Sequence, residues 1–587
     1  MDSAVVFENA VRIQQALSVI GTLMLTAYLF PRQATVEDFE EYDFIIVGGG
    51  SAGSVIADRL SECSQFKVLV IEAGGDPPME SLVPVLYPYL SNSQYDWNIT
   101  SVIEPNAGNG RKTKEFNLVC ARVLGGGSSI NYMMYVRGCP GDYYPWARLS
   151  NDSNWAYANN LPYFIKSERM VSEEILQSPY RLYHGTKGFL GITRENRPET
   201  KKYLQAFEEL GYDILFDVNG KQSLGYTLQL NTIAEGIRQT TAYTNLGANK
   251  HRNNLYVLKR TVVTQILFDE NNNAIGVKAL TQDSKSITLK AKREVIVSSG
   301  SINTPKLLML SGIGPKEHLE SHNIKVMSAL PVGLNYQDHW LLQLSFKMEK
   351  SELPANPIKS YQTPFPVVTG YVKLNKTKSC AEYQTVNTIV PNDPEGPPLS
   401  CTFNFRYKDN ICQNLYEASK GRNTMETALI LLHPKSRGQI TLRSSNPLDP
   451  PNVFTGIFSD KRDLEDYTSY VEDFVKVVNT TYFKSVQSEI IDLKLPECTD
   501  WTFGSREYWR CYVQTMATTS LHFIGTASLG SVVDSKLRVL NVNRLRVADA
   551  SVMPSQTSGN PNAVVIMIAE KLADFVKQEH GLHGQCS

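Results

Sequence analysis

Apolar and polar positions sort first into a compact unit at Glu41–Gly75. Phe44-Ile45-Ile46-Val47 is an unbroken apolar run, the pattern of a parallel strand buried on both faces. The turn Gly48-Gly49-Gly50-Ser51-Ala52-Gly53 follows. Apolar residues then recur at helical spacing through Val55, Ile56 and Leu60, and a second apolar run, Val68–Ile71, ends at Glu72. Strand, glycine turn and helix appear again at Glu294–Ser299 and Gly300–Gly314, with the helix stopping at Gly312. Between these units, Asn160–Met170 predicts a helix, and Asn254–Phe268 predicts strands before a turn at Asp269–Asn273.

The later pattern differs. Val367–Lys373, Thr402–Tyr407, Glu426–His433 and Gln439–Arg443 read as strands between Pro- and Gly-rich turns, with a helix at Asp463–Val478. They predict a second domain on a largely antiparallel sheet. Leu545–Ala548 then returns to a short apolar strand ending at Asp549, and Ala563–Lys577 has the apolar spacing of a final helix, so the chain end rejoins the first domain.

The glycine spacing has a chemical reading. Gly48 permits the tight turn, Gly50 lets the backbone approach a pyrophosphate, and Gly53 brings the helix close to the sheet. The helix N-terminus offers free N–H groups to phosphate. Glu72, nineteen residues past Gly53, stands where an acid accepts hydrogen bonds from ribose hydroxyls. This motif alone implies a dinucleotide without choosing FAD or NAD. A second glycine-rich stretch, Ala121–Gly138, contains Gly125-Gly126-Gly127-Ser128-Ser129, small residues suited to close approach by a planar or anionic ligand.

Composition narrows the classes. At 587 residues the chain exceeds one simple core. Its 58 basic and 59 acidic residues form no basic run, which argues against a nucleic-acid partner. Ala16–Phe30 is mostly apolar but too short for a stable membrane span of about 20 residues, and suits the core of a signal peptide. Sequons at Asn98, Asn151, Asn375 and Asn479 agree with a secreted protein, the alternative being a cytoplasmic one. None of the nine cysteines forms a C-x-x-C pair, so no metal site is expected; the later ones suit one or two disulfides, and the odd count leaves one thiol over.

Four blocks together resemble the glucose–methanol–choline (GMC) flavoprotein oxidoreductases, from about Tyr42 to Lys577: Gly48–Glu72, Ala121–Gly138, Gly300–Gly314, and the C-terminal set of Leu521–Thr526, Leu545–Pro554 and Gly559–Ala563. Leu161–Glu168, Gly333–His339 and His433–Leu442 resemble the insect branch. His522-Phe523-Ile524-Gly525-Thr526-Ala527 is most similar to the ecdysone-oxidising subfamily of moths.

The resemblance implies FAD and an α/β Rossmann-like FAD-binding domain with an α+β substrate domain. Residues 1–40 would form the N-terminal apolar segment and 41–336 mainly the FAD domain, with 150–225 partly in the substrate domain. Residues 337–515 would form the substrate domain, 516–578 the return to the FAD domain, and 579–587 a tail. By family position the cofactor would meet Gly48, Gly50, Ser51, Ala52, Gly53, Glu72, Ala73, Arg122, Gly125, Gly127, Ser128 and Asn131. It would also meet Val263 at the adenine, Asp549 and Ala550 at the ribityl–pyrophosphate, and Pro561 by the pyrimidine end. Ile130 stands where some members attach flavin through histidine, which implies noncovalent binding. The implied reaction is oxidation of an alcohol, an ecdysteroid in the first instance or a smaller alcohol such as glucose, with oxygen or a quinone as acceptor. A lyase using the same fold is the reading from another class. His522 would be the base and Asn560 the donor to the substrate oxygen, while His339 and His433 read as structural hydrogen-bonders.

Overall fold

The computed structural model describes residues 28–350, 361–391 and 400–581. Most of the predicted N-terminal apolar segment and the end of the tail lie outside them. In chain order the elements that build the site are β1 (Glu41–Val47), α1 (Ser51–Ser61), β2 (Val68–Ile71), α2 (Tyr157–Ser167), β3 (Gly225–Leu228), β4 (Leu255–Leu258), β5 (Val262–Phe268), β6 (Ala274–Leu280), β7 (Ser286–Val297) and α3 (Gly300–Leu310). There follow β8 (Trp340–Met348), β9 (Val367–Val372), β10 (Tyr383–Val390), β11 (Asn423–Leu431), α4 (Lys461–Phe474), β12 (Ser488–Ile490), α5 (Arg506–Met516), β13 (Thr518–Thr519), β14 (Leu545–Val547) and α6 (Asn562–Glu579).

The first sheet joins segments from distant parts of the chain. β4, β2, β1, β7 and β14 run parallel in that order. Their apolar runs are buried on both faces, as expected for strands flanked by helices. β7 extends further than the predicted Glu294–Ser299, because its first half pairs antiparallel with β6, and β6 with β5. α6 packs against α1 and α2, and its buried side chains extend around the whole helix from Ala563 to Ala573. Its buried Glu570 accepts from Arg59 Nη2 of α1 at 2.8 Å, pairing the buried acid with a guanidinium.

The second sheet is antiparallel, in the order β12-β8-β11-β10-β9-β3, with β13 beside β8. Alternation along β8 sends Trp340, Leu342, Leu344 and Phe346 to the face packed by helices; Phe346 meets Phe474 of α4 edge-on at 5.7 Å. Tyr467 of α4 donates to the carbonyls of Trp340 and Leu429, fastening helix to sheet. The other face is left to a cavity.

Three predicted elements differ. The helix expected at Asn160–Met170 lies at Tyr157–Ser167, and Glu168–Met170 is a strand. Glu168 leaves the helix because its buried carboxylate accepts from Arg137 and pairs with His184. Thr402–Tyr407 forms no strand: Ser400–Asn404 is a wide helical turn, tied by the Cys401–Cys412 disulfide to the helix at Asp409–Ser419. Gly438–Thr441, near the predicted Gln439–Arg443, joins a small separate sheet with Leu334–Tyr336 and Asn452–Phe454. Cys498–Cys511 is a second disulfide within the later cysteines, as expected, and Cys380 pairs back to Cys139; among the described residues Cys120 is a free thiol. Cys139, Asp142 and Cys380 come close together, but the disulfide leaves no thiolate there to bind a metal. Among the described residues, no helix is long and apolar enough to cross a membrane.

Candidate active site

A cavity of about 1320 Å³ runs from the glycine turn after β1 to the open face of the second sheet. Drug-sized ligands occupy roughly 300–1,000 Å³, so this space suits a larger cofactor together with a substrate.

The β1 end is built by close backbone contacts. Gly48 has φ 101°, and a Cβ there would lie 2.4 Å from the Ser298 carbonyl; one on Gly53 would lie 1.9 Å from the Gly48 carbonyl. Gly125 N–H donates to Gly49 O at 2.7 Å, so the two glycine-rich loops pack back to back. Ser51 Oγ donates to Asn562 Oδ1 at 2.9 Å and accepts from Ser128 N at 3.2 Å. Ser128 Oγ also donates to Gly125 O at 2.6 Å.

Gly48, Gly50, Ser51 and Ala52 line the cavity, as do Glu72, Ala73 and Arg122. Gly127, Asn131 and Val263 line it too, followed by Asp549, Ala550 and Pro561 nearer the reacting end. Gly53, Gly125 and Ser128 do not reach it; they hold the loops that do.

The residues fit a dinucleotide. α1 begins at Gly50 without a side-chain cap or an acid in its first turn, leaving its N–H groups for an anion. A Cβ on Gly127 would meet nothing within 4 Å, so the absent side chain leaves the cavity wall open to a ligand. Glu72 already accepts from Gly49 N at 2.8 Å and Gly74 N at 2.7 Å. Each oxygen keeps a further lone pair for a hydroxyl. Burial raises its pKa and the two backbone donors oppose that rise. Asp549 is committed to the protein: it accepts from Gly300 N at the start of α3 and from Thr304 Oγ1, at 2.9 and 2.6 Å. Ile130 lines the wall with no nucleophilic side chain.

At the other end His522 and Asn560 converge from two loops 38 residues apart. Asn560 Nδ2 donates to His522 Nε2 at 3.1 Å. That makes Nε2 an acceptor and leaves the ring proton on Nδ1, which lies 2.9 Å from Nδ1 of His339. Burial pushes the His522 imidazole down to about 3 and His339 well below its ordinary value, so both rings are neutral at physiological pH. The His522 loop is pinned at both backbone atoms: its N–H donates to Asp338 Oδ1 at 2.9 Å, and its carbonyl accepts from Gln556 Nε2 at 2.9 Å. Thr519 Oγ1 also donates to Asp338.

Asn560 is oriented by Gln384 of β10, whose Nε2 donates to Asn560 Oδ1 at 3.4 Å. The preceding Ser558 is held by Asp142, which accepts from its N–H at 2.6 Å and its hydroxyl at 2.9 Å. His433 sits behind this pair, 3.0 Å from Ser558 Oγ. His339 and His433 are hydrogen-bonders, as expected, but His339 bonds the candidate base itself. Asp338, Gln384 and Gln556 were not anticipated. Asp338 stands beside His339 in a block that the sequence singled out; Gln384 lies in a strand that carried no signal.

These features define a dinucleotide-binding oxidoreductase with a neutral imidazole and an amide at the reacting end. The chain belongs to the GMC oxidoreductase family: the family's N-terminal model matches residues 42–341 and its C-terminal model residues 434–569. It is therefore an FAD-dependent alcohol oxidoreductase. Among characterised relatives it is 36% identical to the ecdysone oxidase of Bombyx mori over 579 residues, covering 96% of this chain and 86% of that one. It is 37% identical to the ecdysone oxidase of Spodoptera littoralis, covering 94% of each. In fold it matches formate oxidase of Aspergillus oryzae with a TM-score of 0.80 at 24% identity, over 93% of this chain and all of that one.

Proposed function

We propose that this protein oxidises a ring hydroxyl of an ecdysteroid to the ketone and passes the two electrons to oxygen, giving hydrogen peroxide. The observation that carries the reading is the His522–Asn560 pair at 3.1 Å on the wall of a cavity large enough for a cofactor and a steroid. The two moth relatives support the substrate class.

Bound FAD supplies the hydride acceptor. The glycine loops, Glu72 and Arg122 would hold its ADP half, Ala550 would lie by the ribityl–pyrophosphate, and Pro561 would flank the ring end without a covalent bond. His522 Nε2 accepts the hydroxyl proton. An imidazole of such low proton affinity is a weak base on its own, but the negative charge developing on the adjacent substrate oxygen raises that affinity. Asn560 turns its N–H from Nε2 to the same oxygen and stabilises the charge. His339 and Asp338 keep Nε2 aimed. Disulfides Cys139–Cys380, Cys401–Cys412 and Cys498–Cys511 and four exposed sequon asparagines support secretion as the setting.

The test is direct. Purified protein should be yellow; ecdysone should bleach the flavin anaerobically and yield one peroxide per ketone in air. His522→Ala should keep the flavin spectrum and slow reduction about 10²- to 10⁴-fold. Bleaching without peroxide, restored to turnover by a quinone, would replace oxygen as the acceptor. Failure to bleach with ecdysone would remove the ecdysteroid.

A further inference from the structure

Strand register on the second sheet arranges its cavity face in rows. Leu341, Ile430 and Gln384 share the first, Gln343, Ala428 and Val386 the second, and Ser345, Glu426 and Thr388 the third. Gln384 ties the first row to the reacting end through Asn560. Glu426 is four residues further along β11, about 13 Å at the ~3.3 Å rise of a strand. The wall between them is apolar: Ile430, Ala428 and Val386.

Glu426 is out of place on such a wall unless something uses it. Its Oε2 accepts from Gln343 Nε2 at 2.8 Å and Ser345 Oγ at 2.5 Å, while its buried Oε1 makes no hydrogen bond, and neither does the nearby hydroxyl of Thr424 two residues back on the same strand face. Burial raises its pKa against the pull of Ser345, Gln343 and Thr424. A buried carboxyl oxygen without a partner is costly, and native structures keep few of them. The side chain lines the same cavity as His522.

We propose that Glu426 is a specificity-determining residue whose free oxygen binds a second hydroxyl of the substrate, about 13 Å along the sheet from the row that reaches Asn560. The pocket then selects a rigid, elongated polyol with an apolar middle. This inference rests on the alcohol-oxidising site above and deepens the ecdysteroid reading, since an ecdysteroid carries hydroxyls on its first ring and on its side chain, at opposite ends of a four-ring frame.

Steady-state kinetics of the FAD-loaded wild type, Glu426→Leu and Glu426→Gln test it with two matched pairs. One pair is ecdysone and a 3-hydroxysteroid with a plain hydrocarbon side chain; the other is 1,10-decanediol and 1-decanol. Glu426→Leu should lower kcat/KM about tenfold to a hundredfold for the two-headed member, through KM, and leave the one-headed member unchanged. Glu426→Gln, which keeps an amide oxygen, should lose only severalfold. Equal falls on both members of a pair, or no fall, overturn the assignment. Should Glu426→Leu not load flavin, the Glu426→Gln ratio decides. Wild-type turnover of the diol but not ecdysone removes the ecdysteroid and leaves Glu426 in place. Ecdysone turnover indifferent to Glu426 does the reverse, and turnover of none of the four overturns both.

Discussion

His339 and His522 face each other through their Nδ1 atoms at 2.9 Å, with the rings nearly perpendicular at 87°. One must donate and the other accept, so His339 fixes the tautomer that leaves Nε2 of His522 free for a proton. His339→Ala should lower kcat about 10- to 100-fold, with KM and flavin content little changed, and His339→Asn, which can still accept, should recover part of the loss. A KM effect alone would make His339 a wall residue.

Asn560→Ala removes the donor aimed at the substrate oxygen. Loss of one such donor costs roughly 10²–10³ in kcat. Stopped-flow flavin reduction should show that loss in the reductive step. An unchanged rate of reduction would take Asn560 out of the chemistry.

Acid should destabilise the protein partly through His522. Its folded value of about 3 lies below the ordinary 6.5. Above pH 6.5 the ring is neutral whether folded or unfolded and contributes no slope. Below it the unfolded chain binds a proton that the folded ring refuses, so stability falls towards pH 3 by up to about 1.4 kcal/mol per pH unit. Denaturant melts of wild type and His522→Asn between pH 7 and 5 should show a shallower slope for the variant. Parallel slopes would contradict the burial.

A Cβ at Gly127 would meet no protein atom within 4 Å, so Gly127→Val would put its side chain into the cavity. The expected product is folded, with a melt close to that of wild-type apoprotein, and colourless. Gly53→Ala, whose Cβ would meet the Gly48 carbonyl at 1.9 Å, should fail to fold or melt several degrees lower. A yellow Gly127→Val protein would place the cofactor elsewhere.

The disulfides should differ in weight. Cys139–Cys380 closes 241 residues and Cys401–Cys412 closes 11. On loop entropy alone the longer is worth about 3 kcal/mol more. Cys139 also lends its N–H to Asp142, the residue that holds Ser558 beside Asn560, at 2.8 Å. Removing both Cys139 and Cys380 should therefore lower kcat as well as stability, while removing Cys401 and Cys412 should affect stability alone.

Much of the first sheet could be read from the chain, because a buried parallel strand is an unbroken apolar run and a glycine turn has few other uses. β8 was harder: Gln343, Ser345 and Lys347 interrupt its apolar residues, since one face meets a cavity and not a core. Thr402–Tyr407 looked like a strand by composition, and only the Cys401–Cys412 tie bends it into a turn. His522 and Asn560 were recognisable from the blocks around them, but their contact depends on Asp338, Gln384 and Asp142, which reach them from other parts of the fold. Register creates the row that holds Glu426, and no local pattern marks it.

The bond from Ser51 Oγ to Asn562 spans 511 residues and joins the first glycine turn to the last helix. A nascent chain has the βαβ unit early, yet its ADP cradle stays unfinished until Asn562 has been made. Flavin loading therefore waits for the segment that carries Asn562. A chain stopped before Asn562 should emerge without colour however well its first sheet has formed, and FAD supply would act only once that segment has joined the fold.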